Sequence, residues 1–386
     1  MYLQSELLMA TPLALYAGVR IMSLFRPVAL KMAWVVFYLA LAAGYPIAES
    51  LSHGSGRGLT EVVILVGYCA LPLLLYVVLA VIASDLVLGA LRLTGVVSRD
   101  AVRSPRVRYA RLALGLALPA LFLAYGMINH RVLRVREYRI DVARRSSTAE
   151  RLTVVFMADL HFRGVTSDRF LDELVAKVNA QAPDIILVGG DILEGDRRDE
   201  DTGRYVRAFR GMTSKYGIFA VPGNHEGFAR TRSGDFLNKA GIRLLQDEVV
   251  PVDQAINLVG RRDQRSRTRT PLAPLLAAAA GDLPVIVLVH RPSDFDAASR
   301  NGVAVLLAGH THHGQIFPAN FVTSREYPLS YGHAVRGGTH FIVTSGVQGW
   351  GPPVRTIAAS EIVVLRLSLR DQQAAGEQAK HLCVDP

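Results

Sequence analysis

Three long apolar stretches in the first third of the chain constrain its fold more than any other feature. They run from about Met32 to Ile47, from Val62 to Ile82 and from Leu112 to Ile128. Each approaches the ~20 residues that an α-helix needs to cross the hydrocarbon core of a bilayer. The stretches show almost no polar face, which argues against a soluble helical bundle.

A fourth apolar stretch precedes these three and is a weaker candidate. It runs from Leu7 to Phe25, and Arg20 interrupts it, although a long arginine side chain can reach the membrane interface. The sequence therefore predicts an all-α transmembrane region over residues 1–129 with three to four spans.

The composition agrees with a membrane location. Half of the residues are hydrophobic, which is high for a soluble enzyme. The formal net charge of +10 would suit nucleic acid, but the arginines cluster beside the apolar spans, so lipid head groups explain them better. The two cysteines, one in a span and one near the end of the sequence, give no disulfide framework. We expect a multi-pass protein of the cell membrane that binds no nucleic acid.

The distribution of Lys and Arg predicts the orientation of the spans. The loop with Arg20, Arg26 and Lys31 is basic, as is the loop from Arg92 to Arg111, so both are expected in the cytoplasm. The remainder of the chain, including any catalytic domain, would then be extracytoplasmic. Further arginines follow the last span, so the cytoplasmic face remains the alternative.

The chain changes character after the last span. Residues 130–150 are strongly charged and are predicted to be a juxtamembrane linker, part of which could form an edge strand. Over residues 151–370, short apolar runs alternate with amphipathic helical stretches, a pattern typical of an α/β domain with a covered sheet. Residues 371–386 are polar and predicted to be a disordered tail.

Five of the apolar runs end in residue types that bind metal ions. The residues are Asp159 and His161, Asp191, Asn224 and His225, His290, and His310 and His312. Each alone has an ordinary explanation as a turn, a helix cap or a surface histidine. Because functional sites assemble at the carboxyl edge of such sheets, their shared position predicts one metal site.

These blocks resemble, in order, the five signature motifs of the calcineurin-like metallophosphoesterase superfamily, over about Leu152 to Leu367. The motifs are Asp159-x-His161, Gly190-Asp191, Gly223-Asn224-His225-Glu226, His290 and Gly309-His310-x-His312. The resemblance implies a four-layer α/β/β/α sandwich with two divalent ions, for which Mn²⁺, Zn²⁺ or Fe suit the ligands. The segment Ser345 to Arg355 also resembles the bacterial membrane-associated branch, some of whose members cleave the pyrophosphate of a lipid-linked nucleotide.

The resemblance also implies a role for each motif residue. Asp159, His161 and His312 would hold one ion, Asn224, His290 and His310 would hold the other, and Asp191 would bridge them. His225 would be a catalytic residue beside the ions, with Glu226 orienting it, while a metal-bridging hydroxide attacks phosphorus. From their positions in or beside the motifs, His313, Gln315, Trp350 and Arg355 are predicted to contact substrate. The basic loop from Arg261 to Arg269 is either a solvated loop or a clamp for an anionic head group.

Together these features predict a membrane-anchored dinuclear-metal phosphoesterase that hydrolyses a phosphodiester or pyrophosphate bond. A phospholipid or a lipid-linked nucleotide is the candidate substrate, because it would explain the anchor. Two alternatives stay open: a general phosphodiesterase or monoesterase on soluble substrates, and a catalytically silent metal-binding scaffold. The sequence does not define an oligomeric state.

Overall fold

The chain divides into two compact units. The structure is a computed structural model that describes residues 2–52, 59–144, 147–164, 166–194, 199–226, 233–279 and 281–371. The helical unit comprises Met1–Asn129 and Gly351–Thr356, and the α/β unit comprises His130–Trp350 and Ile357–Pro386. The predicted polar tail lies outside the described residues, apart from Asp371.

The helical unit confirms the apolar stretches as helices. Its described helices are α1 (Tyr2–Leu24), α2 (Val28–Ser52), α3 (Leu59–Leu93), α4 (Arg99–Arg103) and α5 (Pro105–Arg131). Among the helices described, three are long and apolar enough to cross a membrane, namely α2, α3 and α5. They contain the three predicted stretches. Helix α1 covers the weaker fourth stretch and is not one of the three.

Small residues and one paired charge allow these helices to pack. A Cβ atom placed on Gly67 of α3 would lie 2.4 Å from the carbonyl oxygen of Gly44 in α2, so only glycine permits this approach. Arg20, which was expected to reach the interface, instead lies 2.5 Å from Asp85 through its Nη2 atom. Arg111 also binds Asp85. Pairing lowers the cost of placing charges among apolar helices.

The α/β unit is built on two mixed sheets. Its strands are β1 (Leu133–Arg144), β2 (Arg151–Met157), β3 (Ile185–Val188), β4 (Ile218–Ala220), β5 (Ile242–Leu244), β6 (Glu248–Val252), β7 (Ile256–Gly260), β8 (Val285–Leu288), β9 (Val305–Ala308), β10 (Gly332–Arg336), β11 (Thr339–Val343) and β12 (Ser360–Asp371). Over the described residues, one six-stranded sheet has the order β1-β12-β2-β3-β4-β5, and the other has the order β10-β11-β9-β8-β7-β6.

Helices cover the outer face of each sheet. They are α6 (Asp168–Asn179), α7 (Asp199–Gly211), α8 (Ser233–Ala240), α9 (Leu272–Ala277) and α10 (Phe295–Arg300), whereas α11 (Ala319–Glu326) has no buried residue. Residues from both sheets, such as Val154 and Leu307, share a core between the sheets. Leu174 of α6 packs on the outer face of the first sheet, and Phe295 of α10 packs on that of the second. These layers are the predicted α/β/β/α sandwich.

Most of the segment predicted as a linker forms a strand, as the sequence allowed for part of it. Strand β1 pairs in parallel with β12 over twelve residues, at the edge of the first sheet. Leu133, Ile140 and Val142 are buried, while Arg134 and Arg139 are exposed. The charge density that suggests a linker is therefore the polar side of an edge strand, where charge also discourages unwanted pairing.

Candidate metal centre

The sheet topology brings the predicted ligands to one place. Strands β2, β3 and β4 are parallel neighbours in the first sheet, and β8 and β9 are parallel neighbours in the second. Each of these strands is followed within a few residues by one of the predicted motifs. The loops bond to one another as well, because the backbone amide of His161 donates to the Asp191 carbonyl at 2.9 Å.

Asp191 lies at the centre of the cluster. Its Oδ2 atom is 3.2 Å from His290 Nε2, 4.0 Å from His161 Nε2 and 3.9 Å from His225 Nε2. Its Oδ1 atom accepts the backbone amide of His225 at 2.9 Å. One carboxylate therefore faces histidines from three different loops, which is the arrangement that a bridging ligand requires.

The remaining ligands form two groups on either side of Asp191. Asp159, His161 and His312 offer ligand atoms within 4.8 Å of one another, as do Asp191, His290 and His310. His161 Nε2 lies 3.2 Å from His312 Nε2. Asn224, which was predicted for the second group, has its Oδ1 atom 3.1 Å from His290 Nε2.

A buried oxygen atom in this cluster suits a cation. Asp159 is fully buried, and its Oδ1 atom has no hydrogen-bond partner among the residues that the structure describes. The same atom lies 3.8 Å from His312 Nε2. Leaving a carboxylate oxygen unsatisfied in the interior is costly, whereas a divalent cation with oxygen and imidazole ligands would satisfy it. The donor set therefore fits divalent metal ions.

The backbone of the ligand loops is strained. The left-handed region that L-residues rarely adopt contains Asp159 (φ 53°), His161 (φ 41°), Asp191 (φ 52°), His310 (φ 72°) and His312 (φ 47°). Such conformations cost about 1–3 kcal/mol each and persist at functional sites when the surroundings enforce them. Close packing contributes, since a Cβ atom on Gly223 would lie 2.0 Å from Asp191 Oδ1.

The charges in the cluster call for additional positive charge. Burial alone would lower the pKa of His290, but the adjacent Asp191 carboxylate raises it to about 10. Burial, together with the charges of His290 and Arg291, lowers the pKa of His310 to about 2, so this ring is neutral. Burial raises the pKa of Asp159. A proton on His290 therefore balances part of the negative charge of the carboxylates. Bound divalent ions would otherwise balance this charge.

Contacts outside the cluster set which ring nitrogen two of the histidines present. His290 Nδ1 donates to the Gly189 carbonyl at 2.8 Å, which directs Nε2 toward Asp191. His161 Nδ1 lies 3.1 Å from Glu194 Oε2, and Arg163 holds the same oxygen at 2.9 Å. Burial would raise the pKa of Glu194, yet Arg163 and His161 lower it to about 2, so the carboxylate stays ionised.

The sequence did not single out Glu194 or Arg291. Arg291 is buried and places its Nη1 atom 2.9 Å from His310 Nε2 and its Nη2 atom 3.1 Å from Asn224 Oδ1. Its position directly after His290 was the available signal. For Glu194 the signal was its place three residues after Asp191.

Glu226 occupies a different position from the one expected. It was predicted to orient the His225 ring, but its carboxylate accepts the backbone amides of Asp191, Ile192 and Gly223 at 2.9, 2.6 and 2.7 Å. It therefore joins the loops after β3 and β4 beneath the ligands. His225 itself remains beside the cluster, with its ring centroid 5.0 Å from that of His161 and its side chain 24% exposed.

The predicted substrate contacts lie in different surroundings. His313 stacks on Tyr331 at 5.0 Å and is half-buried. Gln315 is buried and bonds to the Trp350 backbone at both ends of its amide, at 2.9 and 3.1 Å. Trp350 is partly exposed. Arg355 is fully buried in the helical unit, where its backbone amide donates to Gly126.

Two arginines of the basic loop are paired with aspartates of neighbouring segments. Arg261 is buried, with Asp247 at 2.8 Å and Asp294 at 3.2 Å. Arg269 lies 2.5 Å from Asp294. These arginines hold the loop to the second sheet, so they do not form a solvated run. Arg265 of the loop is exposed.

Known proteins match this chain over the part of the sequence that contains the candidate ligands. A family model described as calcineurin-like phosphoesterase matches residues 152–314. An uncharacterized metallophosphoesterase of Campylobacter jejuni is 31% identical over 261 residues, which cover 66% of this chain and 69% of that protein. One from Helicobacter pylori is 32% identical, covering 57% of this chain and 61% of that protein.

Relatives with membrane segments and a solved structure also match. A transmembrane protein with metallophosphoesterase domain from Danio rerio is 28% identical over 283 residues, covering 69% of this chain and 64% of that protein. A crystal structure of a dimetal phosphatase from Danio rerio matches 57% of this chain and 99% of that chain at 13% identity, with a TM-score of 0.34. From the sequence match to the Campylobacter jejuni protein, together with the family model, this chain belongs to the calcineurin-like metallophosphoesterases, a family of metal-dependent phosphoesterases.

Proposed function

We propose that this chain is a membrane-anchored two-metal phosphoesterase that hydrolyses a phosphodiester or pyrophosphate bond of a lipid-linked substrate. The position of Asp191 carries the proposal, because its carboxylate lies between two ligand groups and within 3.2–4.0 Å of three histidine nitrogens. A catalytically silent scaffold would be expected to have lost ligands. Here all seven predicted ligands and His225 are present.

The ligand residues would hold two divalent ions in the sets that the sequence suggested, with Asp191 shared between them. Such ions lower the pKa of bound water and neutralise charge on phosphate oxygens. His225 stands at the exposed side of the cluster, where it would bind a phosphoryl oxygen or deliver a proton to the leaving oxygen. Glu194 and Glu226 would keep the ligand loops in place without touching substrate.

The membrane helices support a substrate that is itself held in a bilayer. An anchor restricts the enzyme to the surface where such lipids occur and raises their effective concentration. Soluble phosphate esters remain the alternative. Turnover of a phospholipid in mixed micelles, compared with turnover of bis(p-nitrophenyl) phosphate, distinguishes the two. A general phosphodiesterase would prefer the soluble ester at equal concentrations.

The reaction is tested on the full chain in detergent. The protein is stripped with a chelator, Mn²⁺ is added back, and hydrolysis of bis(p-nitrophenyl) phosphate is followed. We expect Mn²⁺ to restore activity, and we expect Asp191→Asn and His225→Gln to lower kcat by at least about a hundredfold. Asp172→Asn, on the exposed face of α6, is the matched control and should keep full activity. Full activity in Asp191→Asn would sink the proposal.

We also propose that the α/β unit is extracytoplasmic, because the basic loop before α5 fits the cytoplasmic side. In a Cys383→Ser background, Asp172→Cys should react with a membrane-impermeant maleimide in intact cells. Thr94→Cys, in the loop after α3, should react only after permeabilisation. The opposite pattern would place the unit in the cytoplasm.

A further inference from the structure

A second polar cavity lies beside the ligand loop, within the α/β unit. Its volume is about 490 Å³, a size typical of small-ligand sites. One wall is the start of β1, with Arg134 and Arg136, and another carries His313 and Tyr331. His313 directly follows the predicted ligand His312, so the cavity shares a wall with the metal-ligand loop.

Arg136 is held in one orientation inside this cavity. Its Nε atom donates to Glu361 at 3.0 Å, and its guanidinium lies 5.3 Å from the centre of the Tyr331 ring. In the described part of the chain no carboxylate binds its two terminal Nη groups, the Tyr138 hydroxyl lies near the guanidinium, and 47% of the side chain is exposed. A guanidinium fixed through Nε leaves a planar pair of donors, which suits the oxygens of a phosphate.

The carboxylate that fixes Arg136 is already satisfied by other donors. Glu361 is 3% exposed, and its Oε1 atom accepts Thr344 Oγ1 at 2.9 Å and the Ser345 amide at 3.2 Å. Its Oε2 atom also accepts the Tyr331 hydroxyl at 3.0 Å. Burial and the Glu361 charge raise the pKa of Tyr331, so the hydroxyl remains a donor. Glu361 therefore has buried partners of its own, and it fixes the direction of the Arg136 guanidinium through Nε.

The same network reaches the metal centre through the backbone. The amide of Glu361 donates to the Gly346 carbonyl at 3.0 Å. Gly346 packs on Asp159, because a Cβ atom there would lie 2.8 Å from Asp159 Cβ.

We propose that this cavity is a second phosphate-binding subsite, in which Arg136 receives a phosphate group of the substrate that is not the one attacked at the metal centre. The proposal rests on the function proposed above and narrows its substrate class to esters with two phosphate groups. A lipid-linked diphosphate and a soluble diphosphate share this chemistry. His313, which was predicted to contact substrate, lines the same cavity and would face this ligand.

The test compares three substrates on the full chain in detergent with Mn²⁺. Bis(p-nitrophenyl) phosphate carries one phosphate, ADP-ribose carries two in a soluble molecule, and CDP-diacylglycerol in mixed micelles carries two on a lipid. Losing a charge-assisted contact changes binding by about tenfold to a hundredfold. We expect Arg136→Gln to lower kcat/KM for the diphosphates, relative to the one-phosphate ester, by that factor. Arg139→Gln, on the opposite face of β1, should leave this ratio unchanged.

A second variant distinguishes loss of the subsite from misfolding of the protein. Arg136→Lys keeps the charge that faces Glu361 but lacks the planar fork, so it should fold and still lose at least about threefold of the preference. If kcat/KM falls only for CDP-diacylglycerol, the subsite is supported and its ligand is a lipid. If kcat/KM falls for both diphosphates, the subsite is supported and it recognises the phosphate group in either source. If the ratio of kcat/KM for the diphosphates to that for the one-phosphate ester is unchanged in both Arg136 variants, the proposed subsite is wrong. If the unaltered protein cleaves only bis(p-nitrophenyl) phosphate, the subsite is wrong and the proposed phosphoesterase stands. If it cleaves none of the three, the proposed function itself fails.

Discussion

Glu194 offers the sharpest test of how the metal centre is supported. Its carboxylate lies 3.1 Å from His161 Nδ1 and 2.9 Å from Arg163, and its side chain is 19% exposed. This contact places the proton of His161 on Nδ1 and leaves Nε2 for the cluster. A carboxylate behind a ligand histidine also makes the imidazole a stronger donor to a cation. We therefore expect Glu194→Gln to weaken metal binding while it leaves every predicted ligand in place.

The size of the effect follows from what the substitution removes. Glutamine keeps an acceptor oxygen for His161, so the ring orientation survives, but the negative charge is lost. Substitutions of such supporting groups typically cost about 10–100-fold in metal affinity, or roughly 1.4–2.7 kcal/mol. Arg163 loses its ion pair as well, but it also donates to the Gly349 carbonyl at 2.8 Å, so unfolding should change less than metal affinity does.

Titration calorimetry of Mn²⁺ into the chelator-stripped full chain measures the affinity, and thermal unfolding of the same sample checks the fold. Glu173→Gln on α6, which removes a surface ion pair with Lys177, is the matched control and should bind Mn²⁺ normally. Normal Mn²⁺ affinity in Glu194→Gln would refute the reasoning. A loss of affinity accompanied by an equal loss of thermal stability would count against it too, because it would mark Glu194 as a structural residue only.

Two further predictions concern the loops around the centre. Asp247 is 4% exposed and accepts a hydrogen bond from Arg261 at 2.8 Å. Asp247→Asn leaves this buried guanidinium poorly paired, so we expect the free energy of unfolding to fall by about 3 kcal/mol. Chemical denaturation measures this change. In Gly223→Ala the added methyl group would lie 2.0 Å from Asp191 Oδ1 and 2.5 Å from the Asp191 backbone nitrogen. Because the overlap includes backbone, we expect Mn²⁺ affinity and the unfolding temperature to fall, and kcat to fall by about a hundredfold. Unaltered kcat in Gly223→Ala would mean that the Asp191 position is not critical.

The buried parts of the fold could be predicted because their sequence signal is local. Strands such as β3 and β8 are short apolar runs without polar interruption, as expected of strands covered on both faces. The carboxyl ends of these strands could also be predicted, because the first polar residue after each apolar run marks the edge of the sheet. The candidate ligands follow from this edge and from the residue types that metals bind.

The edges of the sheets could not be read in this way. Strand β6 contains Pro251 and is only half-buried, and β10 is largely exposed, so neither shows a strong pattern. Strand β1 alternates apolar and charged residues, and the charges dominate the composition. What makes these segments strands is pairing with a partner distant in the chain, as when β1 pairs with β12. No local window of sequence contains that partner.

The supporting residues of the site were missed because their roles depend on contacts between loops. Arg291 matters because His310 and Asn224 come within hydrogen-bond distance of it, from loops 19 and 67 residues away. Glu226 illustrates the reverse error. Its place in the motif suggested a bond to the neighbouring His225, whereas the folded loops present backbone amides of Asp191 and Ile192 to it.

The arginines show why net charge alone does not locate an anion site. The sequence offered one basic loop from Arg261 to Arg269 as a clamp, yet Asp247 and Asp294 bind its buried arginine there. Arg136 lies in a charged segment that also contains Arg134 and Arg139, but Glu361 engages only its Nε atom and leaves the terminal donors facing a cavity. An arginine binds an outside anion when its acidic partner fixes its direction without covering its donors. By that criterion the start of β1, and not the arginine-rich loop, is where an anionic substrate group should be sought.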